Sequence, residues 1–227
     1  MQNKPEVNAD SNAVISLQTR DMPWVPTGFV GVEEKVLERI NDPRKGRETL
    51  LLKLSAGASL PKETLTQRLD IFSLEGSYTD GIEEYGKHTF VRNSPGADIA
   101  LFSEKGCTLY VKRREPIRST DNERFVVDSS TAQWMDFPHR GATVLHLYRD
   151  PHGIETSRFG RVHPERKIPS HDHAMGEETL VIDGILKDEY TIYEPGAWFR
   201  MPIGVAHAPY TEGEGCLMLI REGDLVW

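Results

Sequence analysis

Cysteine is scarce in this chain. Two residues, Cys107 and Cys216, stand among 227, far apart and in no Cys-x-x-Cys pair. That excludes a disulfide scaffold and a cysteine zinc knuckle, and it suits a reducing cytoplasm. Long apolar runs are also lacking. No stretch approaches the roughly 20 apolar residues needed to span a bilayer, and Met1–Asp10 is too polar for a secretory signal, so no membrane partner is expected. Positive charge is in deficit: 27 Lys and Arg stand against 35 Asp and Glu, a formal net charge of −8. A phosphate-backbone binder normally carries a basic patch, so nucleic acid is not expected either. The apolar fraction of 38% is enough for a real core and rules out wholesale disorder. At about 100–200 residues per domain, length allows one large domain or two small ones.

Histidine is present and uneven. Only His88 lies in the first half, whereas His139, His146, His152, His163, His171, His173 and His207 lie in the second. An internal repeat accounts for part of this. Leu60-Pro61 through Gly76 lies over Ile168-Pro169 through Gly184, and Arg92 through Gly96 lies over Arg200 through Gly204. Glu104 through Cys107 lies over Glu212 through Cys216, and Trp24 matches Trp134. The offset is nearly constant, at 108–110 residues. Each copy is too long for a solenoid unit and about right for a small domain. The chain divides into a polar tail (1–19), copy one (20–113), a polar linker (114–131) and copy two (132–227).

Both copies read as strands. Thr49–Leu54, Thr108–Lys112, Val144–Tyr148, Thr179–Ile182 and Leu217–Ile220 are short apolar or β-rich runs. Gly and Pro punctuate them at the spacing of an all-β sandwich or barrel. A helix is expected only near Val32–Ile40. The expected architecture is two β-sandwich barrels in one chain.

Copy two carries His171-x-His173-x3-Glu177, then Gly184, Gly196, Pro202, Gly204 and His207. On a strand, His171 and His173 leave the same face. Glu177 follows a Met175-Gly176 turn and can open the next strand. Pro202 and Gly204 form a turn that delivers His207. Three imidazoles and a carboxylate converging on one point suit a divalent transition metal: Fe, Mn, Ni, Cu or Zn.

These two runs resemble the two sequence motifs of the cupin superfamily, with Thr211 where that family often has Asn. More narrowly, His171 through Gly184 and Arg200 through Tyr210 are similar to the cupin domain of ChrR-type anti-sigma factors. The resemblance covers about 95 residues of copy two and extends weakly over copy one. It implies two jelly-roll (double-stranded β-helix) barrels, with one divalent metal (Zn, Fe, Mn or Ni) held by His171, His173, Glu177 and His207. ChrR-type regulators also carry a helical zinc domain with a His-x3-Cys-x2-Cys motif that grips the sigma factor. The motif is not in this sequence, so a sigma-factor partner is not expected.

Copy one places Glu63, Leu65, Leu69 and Ile99 at the four ligand positions. Apolar groups cannot ligate, so this copy should bind no transition metal. Cys107 and Cys216 read as small core residues. His146, between Leu145 and Leu147, reads as a hydrogen-bonded core histidine, with a pocket role as the alternative. Phe159, Phe199 and Tyr210 read as core. Arg200 matches Arg92, which suggests a structural role. The functional expectation is a small-molecule or oxidant-responsive binding or regulatory protein. The alternative is an Fe(II)-dependent dioxygenase acting on a small dicarbonyl or acyl-phenol. A small-molecule ligand is expected in either case, and a homodimer is compatible with the fold. Catalytic residues are not assigned, although Glu177, a labile ligand, could serve as a base.

Overall fold

A computed structural model describes residues 4–42, 46–114, 123–223 and 225. Among them the chain is almost wholly β, with two short 3-10 turns at Thr19–Asp21 and Pro138–Arg140. Among the described residues no helix is long and apolar enough to cross a membrane. The chain divides into two compact units. One comprises Met1–Ala9 with Pro23–Thr131, the other Asp10–Met22 with Ala132–Trp227.

Among the described residues fourteen strands build the two main sheets, and twelve of them span four residues or more. These twelve begin with β1 (Ile15–Gln18), β2 (Val32–Ile40), β3 (Arg47–Leu54), β4 (Arg68–Gly76), β5 (Thr89–Asn93) and β6 (Cys107–Arg114). Then come β7 (Phe125–Asp128), β8 (Ala142–Arg149), β9 (Thr156–Val162), β10 (Glu177–Gly184), β11 (Ala197–Met201) and β12 (Cys216–Glu222). The first unit's sheet runs β7-β5-β4-β6-β3-β2, with Val25–Pro26 at its edge. The second runs β1-β11-β10-β12-β9-β8, with Met135–Phe137 at its edge. Every pairing is antiparallel. Each strand n of the first repeat therefore has its counterpart at n+6. In each unit, shorter strands complete the barrel opposite the main sheet, such as Tyr78–Thr79 with Glu84–Tyr85 and Leu186–Lys187 with Ile192–Tyr193.

The repeats and the units do not share boundaries. β1 pairs with β11 from Ile15↔Arg200 to Gln18↔Ala197 and so completes the second unit. Its counterpart β7 pairs with β5, from Phe125↔Arg92 to Thr89↔Asp128, and completes the first. Thus part of the segment expected as a polar tail is a strand. So is part of the expected linker, of which residues 115–122 lie outside those described.

The helix expected at Val32–Ile40 is instead β2. Its register with β3 shifts between Val36 and Glu38. A bulge inserts one residue, so the apolar positions Val32, Val36, Leu37 and Ile40 acquire a helix-like spacing on an extended chain. β8 carries the same shift between His146 and Tyr148.

Gly76 and Gly184 explain why the repeat is anchored at glycine. Each has φ of +71°, and a Cβ there would stand 2.1 Å from Gly106 O or 2.2 Å from Gly215 O. Only glycine combines that backbone conformation with so close an approach. In the first unit the core is apolar throughout its centre: Leu50, Leu52, Leu65, Leu69, Ile99 and Leu109 belong to one buried cluster. In the second, Val162, Val181, Phe199, Met201 and Met218 form the corresponding cluster, with Ile168 and Ile220 partly buried against it. Both cysteines are buried and free. Burial pushes the Cys216 thiol up to about 12, so it is protonated and unreactive.

Candidate metal centre

The expected ligands lie in the second unit as two groups that share His173: His171, His173 and His207 in one, and His173 and Glu177, with Glu222, in the other. His171 and His207 face each other in an isolated antiparallel bridge, exchanging backbone hydrogen bonds of 3.0 and 2.9 Å. The bridge holds their rings 4.9 Å apart, centroid to centroid, with His173 at 5.0 Å from one and 5.3 Å from the other. Glu177 opens β10, after a turn in which Gly176 N donates to His173 O. Its carboxylate Oε2 lies 3.0 Å from His173 Nε2, and His207 Nε2 lies 3.2 Å from the same nitrogen.

These distances suit ligation. With metal–ligand bonds of about 2.1 Å, adjacent donors lie about 3.0 Å apart at right angles and about 3.4 Å apart in a tetrahedron. The outer partners of the imidazoles point the same way. His173 Nδ1 meets Glu222 Oε1 at 3.0 Å, His207 Nδ1 meets Asp188 Oδ2 at 3.2 Å, and His171 Nδ1 meets Pro169 O at 2.9 Å. An acceptor at each Nδ1 fixes the proton there and leaves Nε2 as a bare lone pair. Thr179 Oγ1 donates to Glu177 Oε1 at 2.9 Å, which leaves Oε2 free to ligate. Nitrogen lone pairs and a carboxylate in mutual contact repel unless a cation lies among them, which is a proton on His173 in the metal-free chain and a divalent ion when one is bound. The donor set therefore fits a divalent ion. The grouping His171, His173 and His207 has its ligating atoms within 4.8 Å of one another, as does His173, Glu177 and Glu222.

Glu222, Asp188 and Arg158 were not identified from the sequence. Glu177 and Glu222 are direct cross-strand neighbours on β10 and β12. Two carboxylates so placed are unfavourable without compensation. Arg158 supplies part of it, donating from Nη2 to Glu222 Oε1 at 2.8 Å and from Nη1 to Thr156 Oγ1 at 2.9 Å. Burial opposes the charge of Glu222, but its hydrogen bonds to His173 and Arg158 prevail and hold it well below the usual carboxylate range. Burial likewise disfavours a charged His173, but the hydrogen bond to Glu222 and the charges of Glu177 and Glu222 raise it above an ordinary histidine. Burial lowers His171. Asp188 Oδ1 accepts from Tyr190 N and Thr191 N, and Oδ2 accepts from Tyr193 OH. Those bonds and His207 hold its carboxyl low against the opposing effect of burial.

A cavity of about 460 Å³ opens beside the ligands. All four line it, with Val144, Val162, Leu186, Met218 and Ile220 on apolar walls and His146, Arg158 and Glu222 as polar groups. His146 departs from the expectation of a satisfied core histidine. It is half-buried, lines the cavity, and its buried Nδ1 has no hydrogen-bond partner among the described residues. Burial and the neighbouring charges of Arg158 and Arg149 push it below the usual histidine value. Phe159 and Phe199 are buried and Tyr210 is half-buried, and none of the three lines the cavity.

In the first unit the register puts Leu65, Leu69 and Ile99 where the second has His173, Glu177 and His207, and Glu63 where it has His171. Arg113 stands at the position of Glu222 and pairs with Glu63. Val36, Leu50 and Leu52 take the positions of His146, Arg158 and Gly160.

The model of the ChrR cupin-like domain matches the chain twice, over residues 12–116 and 122–226. No curated protein matches significantly. Among solved structures, a Nostoc punctiforme protein provisionally described as a dioxygenase is 16% identical over 93% of this chain and 80% of its own, with a TM-score of 0.73. A Pseudomonas aeruginosa protein provisionally described as glyoxylate-induced is 14% identical over 98% of this chain and 92% of its own, with a TM-score of 0.77. Bacillus subtilis oxalate decarboxylase, which has Mn(II) centres, is 10% identical over 93% of this chain and 78% of its own, with a TM-score of 0.66. At these identities the likeness is one of fold.

Proposed function

Because the chain belongs to the ChrR cupin-like family, with one family domain in each repeat, we propose that its second unit binds one divalent transition metal and holds a small molecule against it. On this reading it is a metal-loaded binding and regulatory protein. His171, His173, Glu177 and His207 are the ligands, and Zn, Fe, Mn or Ni is the ion. The observation that carries this is the orientation of the imidazoles: each Nδ1 has its own acceptor, so the Nε2 atoms are free for the ion. When bound, the ion supplies Lewis acidity toward an oxygen of the small molecule. Glu222 keeps His173 in the ligating tautomer, and Arg158 keeps Glu222 charged. The apolar walls exclude water from one side of the ligand. Four protein ligands leave up to two positions of an octahedron for it.

The test is metal content. Chain purified from cells supplied with Zn, Fe or Mn should hold close to one ion, and His171→Ala/His207→Ala should lose it. Less than about half an equivalent in the wild-type chain, or full loading of the double variant, would refute the assignment.

The polar groups in the cavity favour a second reading, as an Fe(II)-dependent dioxygenase acting on a small dicarbonyl or acyl-phenol. Binding an apolar molecule requires no His146 or Arg158 in the wall, whereas chemistry needs groups that orient oxygens and hold protons. Oxygen uptake by Fe(II)-loaded protein with one compound of such a panel would support turnover. Its absence across the panel leaves the binding role.

A further inference from the structure

The cavity beside the ligands is sorted along its length. The residues that line it run His146, Val144, Ala142 along β8 and, paired with them, Arg158, Gly160, Val162 along β9. One end is therefore polar and the other apolar. Arg158 is bonded to Glu222 and Glu222 to His173, so the polar end adjoins the ligands. Val162 lies roughly 13 Å from Arg158, four residues along the strand. Charge selects no occupant: Arg140, Arg149 and Arg158 in the lining are matched in number by Asp172, Glu177 and Glu222. Size is more telling. The ladders align Ala142, Gly160 and Val162 with Val32, Leu52 and Leu54 of the first repeat, and Leu186 with Tyr78. At all four positions the second unit has the smaller residue, and none has become polar. Two of the exchanges are compensated. Ile220 replaces Val111, and its Cδ1 fills the space over Gly160. Phe199 replaces Val91 and packs on Tyr193 at 4.3 Å, as Tyr78 packs on Tyr85 at 5.1 Å. Ala142 and Val162 are different, because the next residue across the sheet is unchanged, Cys216 for Cys107. Val32 and Leu54 belong to the first unit's buried apolar cluster. Bulk removed from such a core leaves its lining without packing partners, which is costly. Removal at the apolar end of a cavity that has metal ligands at the other end points to hydrocarbon that replaces it.

We propose that the cavity takes an amphiphilic molecule with an oxygen at one end and a hydrocarbon body of several carbons. The oxygen sits at the ion and the body lies against Ala142, Val162 and Met218. The inference rests on the metal reading above and names the class of molecule held. Each methylene buried at the apolar end is worth about three- to fourfold in affinity, whereas a compact polar molecule leaves that end unfilled.

The experiment is calorimetric titration of the Zn(II)-loaded full chain with 2-butanone, 2-pentanone, 2-hexanone and 2-heptanone. Affinity should rise at each step, about 50-fold over the series. Ala142→Val/Val162→Leu restores the side chains of the first repeat. It should remove most of that rise with zinc content unchanged, and Val162→Leu alone should give an intermediate rise. Affinity independent of chain length, or a rise as steep in the double variant as in the wild-type chain, would overturn the inference. The two readings fail separately. A wild-type chain that takes up no zinc yet keeps the rise, with the rise lost in the double variant, refutes the metal assignment and supports the apolar site. A zinc-loaded chain without the rise refutes the apolar site alone.

Discussion

Asp188→Asn separates the metal centre from the fold that carries it. One oxygen of Asp188 accepts from Tyr190 N at 2.9 Å and Thr191 N at 3.1 Å, and the other from Tyr193 OH at 2.9 Å and His207 Nδ1 at 3.2 Å. If the asparagine keeps its oxygen in the turn, its NH2 meets the Nδ1 proton of His207, donor against donor. His207 then shifts that proton to Nε2 and loses the lone pair that ligates. If the amide flips, the turn loses its acceptor instead. The flip would cost two backbone hydrogen bonds, so the first arrangement prevails, and it loses one hydrogen bond to a charged group, worth about 1.5–3 kcal/mol. At about 1.4 kcal/mol per factor of ten, zinc affinity should fall roughly 10- to 100-fold, the range for outer partners of ligating histidines. The molecule contains its own control. Asp80, the counterpart in the first repeat, accepts from Ile82 N and Glu83 N through one oxygen and from Tyr85 OH and Arg124 through the other. Asp80→Asn should lower thermal stability and leave zinc affinity unchanged. Zinc affinity is read by chelator competition and stability by thermal unfolding of both variants. Wild-type zinc affinity in Asp188→Asn, or an equal loss in Asp80→Asn, would refute the tautomer reasoning.

Acidification should act oppositely on the metal-free and metal-loaded chains. The raised His173 stabilises the metal-free chain fully below about 6.5, the unfolded histidine value, and this is lost as pH rises through its higher folded value. Zinc requires the same ring unprotonated, so the difference in Tm between loaded and metal-free chain should widen between pH 6 and 8; a narrowing would contradict the ligand assignment. Gly184→Ala, with Gly215 O at 2.2 Å from the new Cβ, should destabilise far more than Gly204→Ala. The latter has the same sign of φ (+73°) but nothing within 4 Å, so it should cost only about 1–2 kcal/mol; comparable Tm losses would show that the close approach does not matter. Gly160→Leu installs the residue of the first repeat, and its Cβ meets Ile220 Cδ1 at 2.8 Å. Zinc content, read by elemental analysis, should stay as in the wild-type chain; loss of the ion would show that Gly160 shapes the ligand set itself.

The repeat, the β class and the placing of His171, His173, Glu177 and His207 around one cavity could be read in the sequence because each has a local signature. Glycine recurs where backbone crosses backbone at Gly76 and Gly184, and His171, His173 and Glu177 stand at strand spacing around a turn. Three other features had no such signature. The bulge in β2 gave Val32–Ile40 a helix-like spacing, and the ladder with β3 overrode it. β1 and β7 have four residues each, and only their pairing with β11 and β5 makes them strands. Glu222 lies 49 residues beyond His173, and sequence distance gives no hint that β10 and β12 are neighbours.

A comparison of the two repeats in register would have recovered most of what was missed, but only when read with care. Asp188 and Tyr193 persist in the first repeat as Asp80 and Tyr85, with the same hydrogen bond between them. The reason is local: one carboxylate oxygen closes a turn by accepting two backbone N–H groups, with or without a metal, and in the first repeat Arg124 occupies the other oxygen where His207 does in the second. Persistence of an outer partner is therefore no sign of a metal. The informative positions are those that change together. His146, Arg158, Gly160 and Glu222 line the cavity of the second unit, and Val36, Leu50, Leu52 and Arg113 replace them in the first. Leu50 and Leu52 are buried in that unit's apolar core, and Arg113 turns to the ion pair with Glu63. A barrel needs none of the four replaced residues to fold, since the first unit folds without them: Glu222 and Arg158 form the hydrogen-bond chain to His173, and His146 and Gly160 shape the cavity beside it.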